Sequence, residues 1–265
     1  MTQERIPDHS VTGSGDTTVF LLHGAFGAKD YWRAQIHALV GAGYRVVAWD
    51  APGYGLSPLP EPFGIEPLAR SLGALLDRAG SRRNILLGHS MGGMIAQRAY
   101  DFFPDRVHGL ALSATSASFG KADGDWQKQF VRDRIAPLDA GKSIAQYARE
   151  FLPAMMAPGA RGPEVDLVVA TVSGMSEATF RRAIVAITEY EGRSVLPAID
   201  VPTLVVSGEL DTTAPAQVME KMAAKIRGAE YVCMEGAGHF GWAEQPARFN
   251  GILLDFLGRH FRQQG

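Results

Sequence analysis

The sequence predicts an α/β fold: a mostly parallel sheet with helices on both faces, abbreviated N-terminal edge strands and an inserted helical lid. Three observations point there. Short β-rich runs alternate with longer segments of helical periodicity, the pattern of a parallel sheet covered on both sides. Strand candidates vanish between residues 116 and 197, where four helical segments follow one another. Finally, only some 16 residues precede the first confident strand, which leaves little chain for antiparallel edge strands.

The strand candidates are residues 19–22, 45–49, 85–87, 107–112, 204–206 and 231–233. Helical spacing predicts helices over 30–40, 91–103, 216–226 and 246–261. Pieces of the lid begin near Gly124, Gly141, Pro163 and Ser176. The lid carries Trp126, Phe130, Phe151, Met155, Met156 and Met175, which pack it onto the sheet and leave a few side chains to line a pocket. The expected division is therefore a core of residues 1–115 and 198–265 and a lid of residues 116–197.

With 265 residues, 46% hydrophobic, 20% charged and a net charge of −2, the chain has room for one sizeable core. It lacks the basic excess that nucleic acid or an acidic membrane requires. MTQERIPDHS reads as no secretion signal, and no apolar run approaches the ~20 residues of a membrane span. A single cysteine, Cys233, excludes an internal disulfide and a cysteine-rich metal site. The expected address is cytoplasmic, and the expected assembly is a monomer or homodimer without nucleic-acid or membrane partners.

The stretch NILLGHSMGGMIAQ holds the chemistry. A strand-like run ends at Gly88 and a helix begins past Ser90, so the serine occupies the corner. Such a turn has no space for bulk two residues either side, and Gly88 and Gly92 meet that demand. The corner aims the Ser90 hydroxyl outward beside the unpaired N–H groups of a helix start, which suits a nucleophile.

A serine hydroxyl needs a base, and the base needs an orienting group. In open α/β sheets these gather at the carboxyl ends of strands. His239 lies in the glycine-flanked loop of MEGAGHFGWAEQP, after the last strand candidate. His89 diverges from Ser90 and reads as a pocket or packing residue. His23 shapes the turn after its strand, and His9, His37, His108 and His260 read as surface residues. For the acid, VPTLVVSGELDTTAP places Asp211 in the loop after a strand, with Glu209 as its rival. Asp50 reads as pinning the turn at residues 52–55. Two backbone N–H groups suffice to hold an oxyanion. Met91 supplies one and Ala25, in HGAFG, the other, with Phe26 as a pocket wall.

The order nucleophile, acid, base, together with HGAFG, GHSMGG, SGELDTTAP and GAGHF, resembles the α/β-hydrolase superfamily over essentially the whole chain. The resemblance implies a triad of Ser90, Asp211 and His239, an oxyanion hole at Ala25 and Met91, and a lid after the sixth-strand position of that fold. It implies no metal or organic cofactor, and a small-molecule ester or lactone as substrate. Substrate contacts are expected from Phe26, His89, Trp126, Phe130, Met155 and Phe240. Carboxylesterases and enol-lactonases of the 3-oxoadipate type are the nearest in kind. Carbon–carbon bond hydrolases usually carry asparagine before the nucleophile and tryptophan after the base, where this chain has His89 and Phe240. Dehalogenases and epoxide hydrolases use an aspartate where Ser90 stands. Cofactor-free haloperoxidases share the triad, and a ligand receptor on the same fold is the non-catalytic alternative. The apolar lid implies a small, mostly hydrophobic or cyclic substrate.

Overall fold

Among residues 6–120 and 124–262, which the computed structural model describes, seven strands form one sheet. They are β1 (His9–Thr12), β2 (Thr17–Leu22), β3 (Arg45–Trp49), β4 (Arg83–His89), β5 (Gly109–Ser113), β6 (Thr203–Gly208) and β7 (Glu230–Met234), in the order β1-β3-β2-β4-β5-β6-β7. β1 runs antiparallel to β3, and every other pairing is parallel. All six residues of β2 are buried, as helices on both faces require.

The helices are α1 (Arg33–Gly41), α2 (Ile65–Ala79), α3 (Met91–Phe102), α4 (Asp125–Asp139), α5 (Ile144–Met155), α6 (Pro163–Ser173), α7 (Glu177–Glu189), α8 (Ala216–Ala223), α9 (Gly241–Glu244) and α10 (Pro246–His260). The six sequence-predicted strands are present, and the antiparallel edge is the single four-residue strand β1. The sequence reading omitted β1 and α2. In β1 no residue is fully buried, so HSVT offers no apolar pattern and its evidence lies in its pairing with β3. For α2 the signal was present, because Ile65, Leu68, Leu72, Leu75 and Leu76 recur at helical spacing and all face the core. Gly80, at φ +60°, ends that helix in the left-handed conformation that glycine adopts at little cost.

Between β5 and β6 the chain leaves the sheet and forms α4 to α7, the inserted lid. Gly124 and Ser176 stand at the N-caps of α4 and α7, and Pro163 opens α6. α5 starts behind a reciprocal cap: the Ser143 hydroxyl accepts from the Gln146 N–H, and the Ser143 N–H donates to the Gln146 side chain at 2.9 Å. The lid rests on the sheet through aromatic rings. Phe26, from the loop after β2, meets Phe151 of α5 and Phe180 of α7 at centroid distances of 5.4 and 5.3 Å.

Strand order positions the site. The chain passes from β2 outward to β3 and then returns to β4 on the other side of β2, so the loops after β2 and β4 part in opposite directions at their carboxyl ends. A crevice opens at such a reversal. In register, Leu22 pairs with Gly88, which sets the HGAFG loop beside Ser90.

Candidate active site

Ser90 joins β4 to α3 with φ at +52°, a sparsely populated conformation for a residue with a side chain. Close packing explains the flanking glycines. A Cβ on Gly92 would come within 2.1 Å of the Leu22 carbonyl oxygen, and one on Gly88 within 2.4 Å of the Gly92 oxygen. β5 and the residues just after it hold the corner in place: the Ser90 N–H donates to the Ser113 carbonyl at 2.9 Å, and the Thr115 hydroxyl donates to the Ser90 carbonyl at 2.7 Å.

His239 and Asp211 meet in the loops after β7 and β6, with Nδ1 of the imidazole 2.8 Å from Asp211 Oδ2 and both side chains buried. The other carboxylate oxygen accepts the N–H groups of Thr213 at 2.7 Å and Ala214 at 2.9 Å. Burial alone would raise the Asp211 carboxyl. His239 and those two N–H groups outweigh it and hold the group below the usual carboxylate range. An ionised carboxylate only accepts, so Nδ1 carries the proton and Nε2 presents its lone pair. The two loops are also zipped together, the Leu210 N–H donating to the Ala237 carbonyl at 2.8 Å. Glu209 takes a different part: its carboxylate accepts from the Gly236 N–H and steadies the loop that carries His239.

On the opposite side stands the loop after β2. The buried His23 ring accepts the Ala51 N–H at Nε2 (3.0 Å) and donates from Nδ1 to the Gly24 carbonyl (2.8 Å). Burial holds its pKa below the ordinary imidazole value, which keeps the ring neutral as this bonding requires. Tyr31 accepts the Gly24 N–H and Tyr54 donates to the Ala25 carbonyl, so the loop is fixed from three directions. It lies close to the serine, since a Cβ on Gly24 would stand 3.0 Å from that of Ser90. Among the described residues, the N–H groups of Ala25 and Met91 donate to no acceptor. Asp50 is remote from this chemistry and binds the Lys29 backbone N–H and ammonium group.

Ser90 and His239 line one cavity of about 40 Å³, walled in part by the lid. Among the described residues no hydrogen bond joins the serine hydroxyl to the imidazole. Such bonds are often long before substrate arrives.

Comparison with known proteins adds kinship to this geometry. A family described as "alpha/beta hydrolase fold" matches residues 17–246. The chain belongs to the α/β-hydrolase family. Among its relatives, a pimeloyl-[acyl-carrier protein] methyl ester esterase of Neisseria meningitidis is 27% identical over 90% of this chain and 76% of the relative. A protein of Variovorax paradoxus provisionally named the carbamate hydrolase RutD is 31% identical, covering 95% of this chain and 96% of the relative. A solved structure of a thermophilic esterase from Thermogutta terrifontis with malate bound superposes with a TM-score of 0.85 at 28% identity, over 96% of this chain and 93% of that one. These relationships support a hydrolytic role on small esters. Among the described residues of this α/β hydrolase, no helix is long and apolar enough to cross a membrane.

The cavity wall of the hydrolase differs from the sequence reading in three places. Phe26, Phe130 and Met155 do line it, together with Ala25. Trp126 does not: it lies 61% exposed on the outer side of α4, against Phe119 and Phe130. His89 and Phe240 are buried behind the His239 ring rather than before it, with ring centroids 4.9 and 5.3 Å from it. The corner at Ser90 turns its neighbour inward, where His89 packs against Trp32 and Trp242. Burial first, and then His239 and His23, push the His89 imidazole well below its ordinary pKa. The sequence reading missed Phe119, Arg134, Ile184 and Ile187 on the wall. Nothing local marks them, because three helices must fold over the sheet before they converge.

Proposed function

We propose that this protein is a serine hydrolase that cleaves a carboxylic ester or lactone of a small, largely hydrophobic substrate through an acyl-enzyme. The observation that carries this reading is the buried 2.8 Å bond from His239 to an ionised Asp211, at the edge of a cavity that Ser90 also lines.

In this reading Asp211 holds His239 in the tautomer that leaves Nε2 basic. Nε2 takes the Ser90 proton as Oγ attacks the substrate carbonyl, and the N–H groups of Ala25 and Met91 receive the oxyanion. His239 then protonates the departing alcohol. Water attacks the acyl-serine with His239 again as base, and the acid leaves. The scheme closes without a metal or organic cofactor.

The lid governs entry. Phe130 and Met155 of the lid stand over the cavity, so substrate entry is expected to involve movement of the lid. Their apolar side chains favour an apolar substrate body.

Steady turnover of a panel of nitrophenyl esters, aliphatic lactones and vinylogous diketones tests the reading. Esters or lactones are expected to turn over continuously, with Ser90→Ala lowering kcat by ~10⁶-fold. Turnover of diketones alone, or a Ser90→Ala variant of undiminished activity, would contradict it.

A further inference from the structure

Among the described residues, one cation stands in the apolar part of the cavity wall. Arg134 of α4 lines the same cavity as Ser90 and His239. Its guanidinium carbon lies 3.4 Å from the centroid of the Phe130 ring and 5.4 Å from that of Phe151. Phe130 lies against the group and Phe151 stands farther off, and neither supplies an acceptor for its in-plane N–H donors. Among the described residues, Arg134 makes no salt bridge or hydrogen bond. Asp133 acts on it only at longer range, and the carboxylates described nearby have other partners. On α4, Asp133 is bound by the Gln129 amide, and Asp139 by Arg181. On α5, Glu150 is bound by Lys142 and on α7, Glu177 by Arg181. Tyr147 of α5, the other titratable group facing Arg134, is pushed up by burial to about 12 and is neutral at physiological pH.

A half-buried arginine has lost part of its hydration, and an unpaired cation in such a place is costly. Its flat fork of donors matches a carboxylate in two parallel hydrogen bonds, which a lysine does not reproduce. We infer that Arg134 receives a carboxylate of the substrate, so that the molecule turned over is a small monoanion: an apolar body with an ester or lactone carbonyl at Ser90 and a carboxylate at its far end. The inference rests on the hydrolytic reading of the same site and narrows its substrate class.

Matched pairs of esters test it. Half-ethyl esters of glutaric and adipic acid carry the carboxylate on the acyl side, and 4-acetoxybutanoate carries it on the alcohol side. Each is compared with the neutral ester in which a methyl group replaces the carboxylate. A charge-assisted bidentate contact corresponds to ~10- to 100-fold in kcat/KM, and the wild-type protein is expected to prefer at least one carboxylate ester by that factor. Arg134→Met should lower kcat/KM for the carboxylate esters ~10- to 100-fold relative to their neutral partners and so abolish the preference, and Arg134→Lys should keep part of it. The neutral esters control for folding. A second arm is independent of turnover: calorimetric binding of the half-esters to Ser90→Ala, with and without Arg134→Met, should show affinity that disappears with the arginine. Neutral esters turned over without carboxylate preference, or a preference that survives Arg134→Met, would overturn the inference and leave the hydrolytic reading standing. Binding of the half-esters through Arg134 without turnover of any ester would sink the hydrolytic reading and leave the carboxylate subsite standing.

Discussion

The sheet side of the cavity and the lid side are held by different forces. On the sheet side each candidate catalytic group sits in a mesh of directional bonds: Ser90 is held at its N–H by Ser113 of β5 and at its carbonyl by Thr115 just beyond it, and Asp211 accepts from His239, Thr213 and Ala214. The lid side is mainly rings against rings, with Phe26, Phe151, Phe180 and Tyr147 in mutual contact. Its polar ties to the core are scattered: Thr179 donates to the Gly53 carbonyl, Glu164 pairs with Arg33, and at the end of α5 the His239 N–H donates to the Met155 carbonyl while Glu244 accepts from both Ala157 and Gly238. Hydrogen bonds fix angles, whereas apolar contacts tolerate sliding. The difference suits a site whose chemistry needs exact placement and whose entrance needs to open.

If the sheet side sets the chemistry, the largest loss short of removing Ser90 itself follows from untying the base. Asp211→Asn should preserve the fold and lower kcat on a nitrophenyl ester by ~10⁴-fold, because the amide stabilises the wrong tautomer of His239. A tenfold loss would assign the orienting part elsewhere. Next comes Gly92→Ala, whose methyl must displace the Leu22 carbonyl. A shift of about 1 Å at Ser90 should cost ~100-fold in kcat/KM. Gly251→Ala on α10, where a Cβ meets nothing within 4 Å, should leave activity unchanged.

A third test uses acid. His23 and His89 are held below their ordinary pKa by burial, so the unfolded chain takes up protons that the folded protein refuses. Stability should therefore be level above ~pH 6.5 and fall below it by about 1.4 kcal/mol per pH unit for each histidine, until the folded-state values are reached. Asp211, whose carboxyl is depressed, adds stability that is present above ~pH 3.9 and is lost as pH falls through its folded value. Denaturant unfolding between pH 7.5 and 5 measures the first window, and His89→Gln should reduce its slope by one proton. The smallest effect belongs to the lid surface. Trp126→Ala should change stability by less than ~1 kcal/mol and leave kcat/KM within twofold, since the ring lies outside the cavity. A large loss of activity there would return Trp126 to the substrate path.

The same contrast decides what could be read in the sequence. Ser90, Asp211 and His239 follow strands and stand among glycines or turn residues, so each carries a local mark of its place at the sheet edge. The four lid helices were legible from their spacing and start signals, such as Pro163 and Ser176. Which lid side chains face inward was not. Trp126 and Phe130 lie one helical turn apart on α4, yet one is exposed and the other lines the cavity, a division that the spacing along a single helix does not announce. Strand β1 escaped notice for a related reason, as its four residues acquire meaning only opposite β3.

The claim on which the account stands is that the sheet edge makes one serine nucleophilic. Intact-mass and peptide mass spectrometry after exposure to an alkyl fluorophosphonate tests it directly. The expected result is one adduct, on the peptide containing Ser90, absent from Ser90→Ala and formed far more slowly in His239→Ala. No adduct, or an adduct on another residue at the wild-type rate, would contradict it.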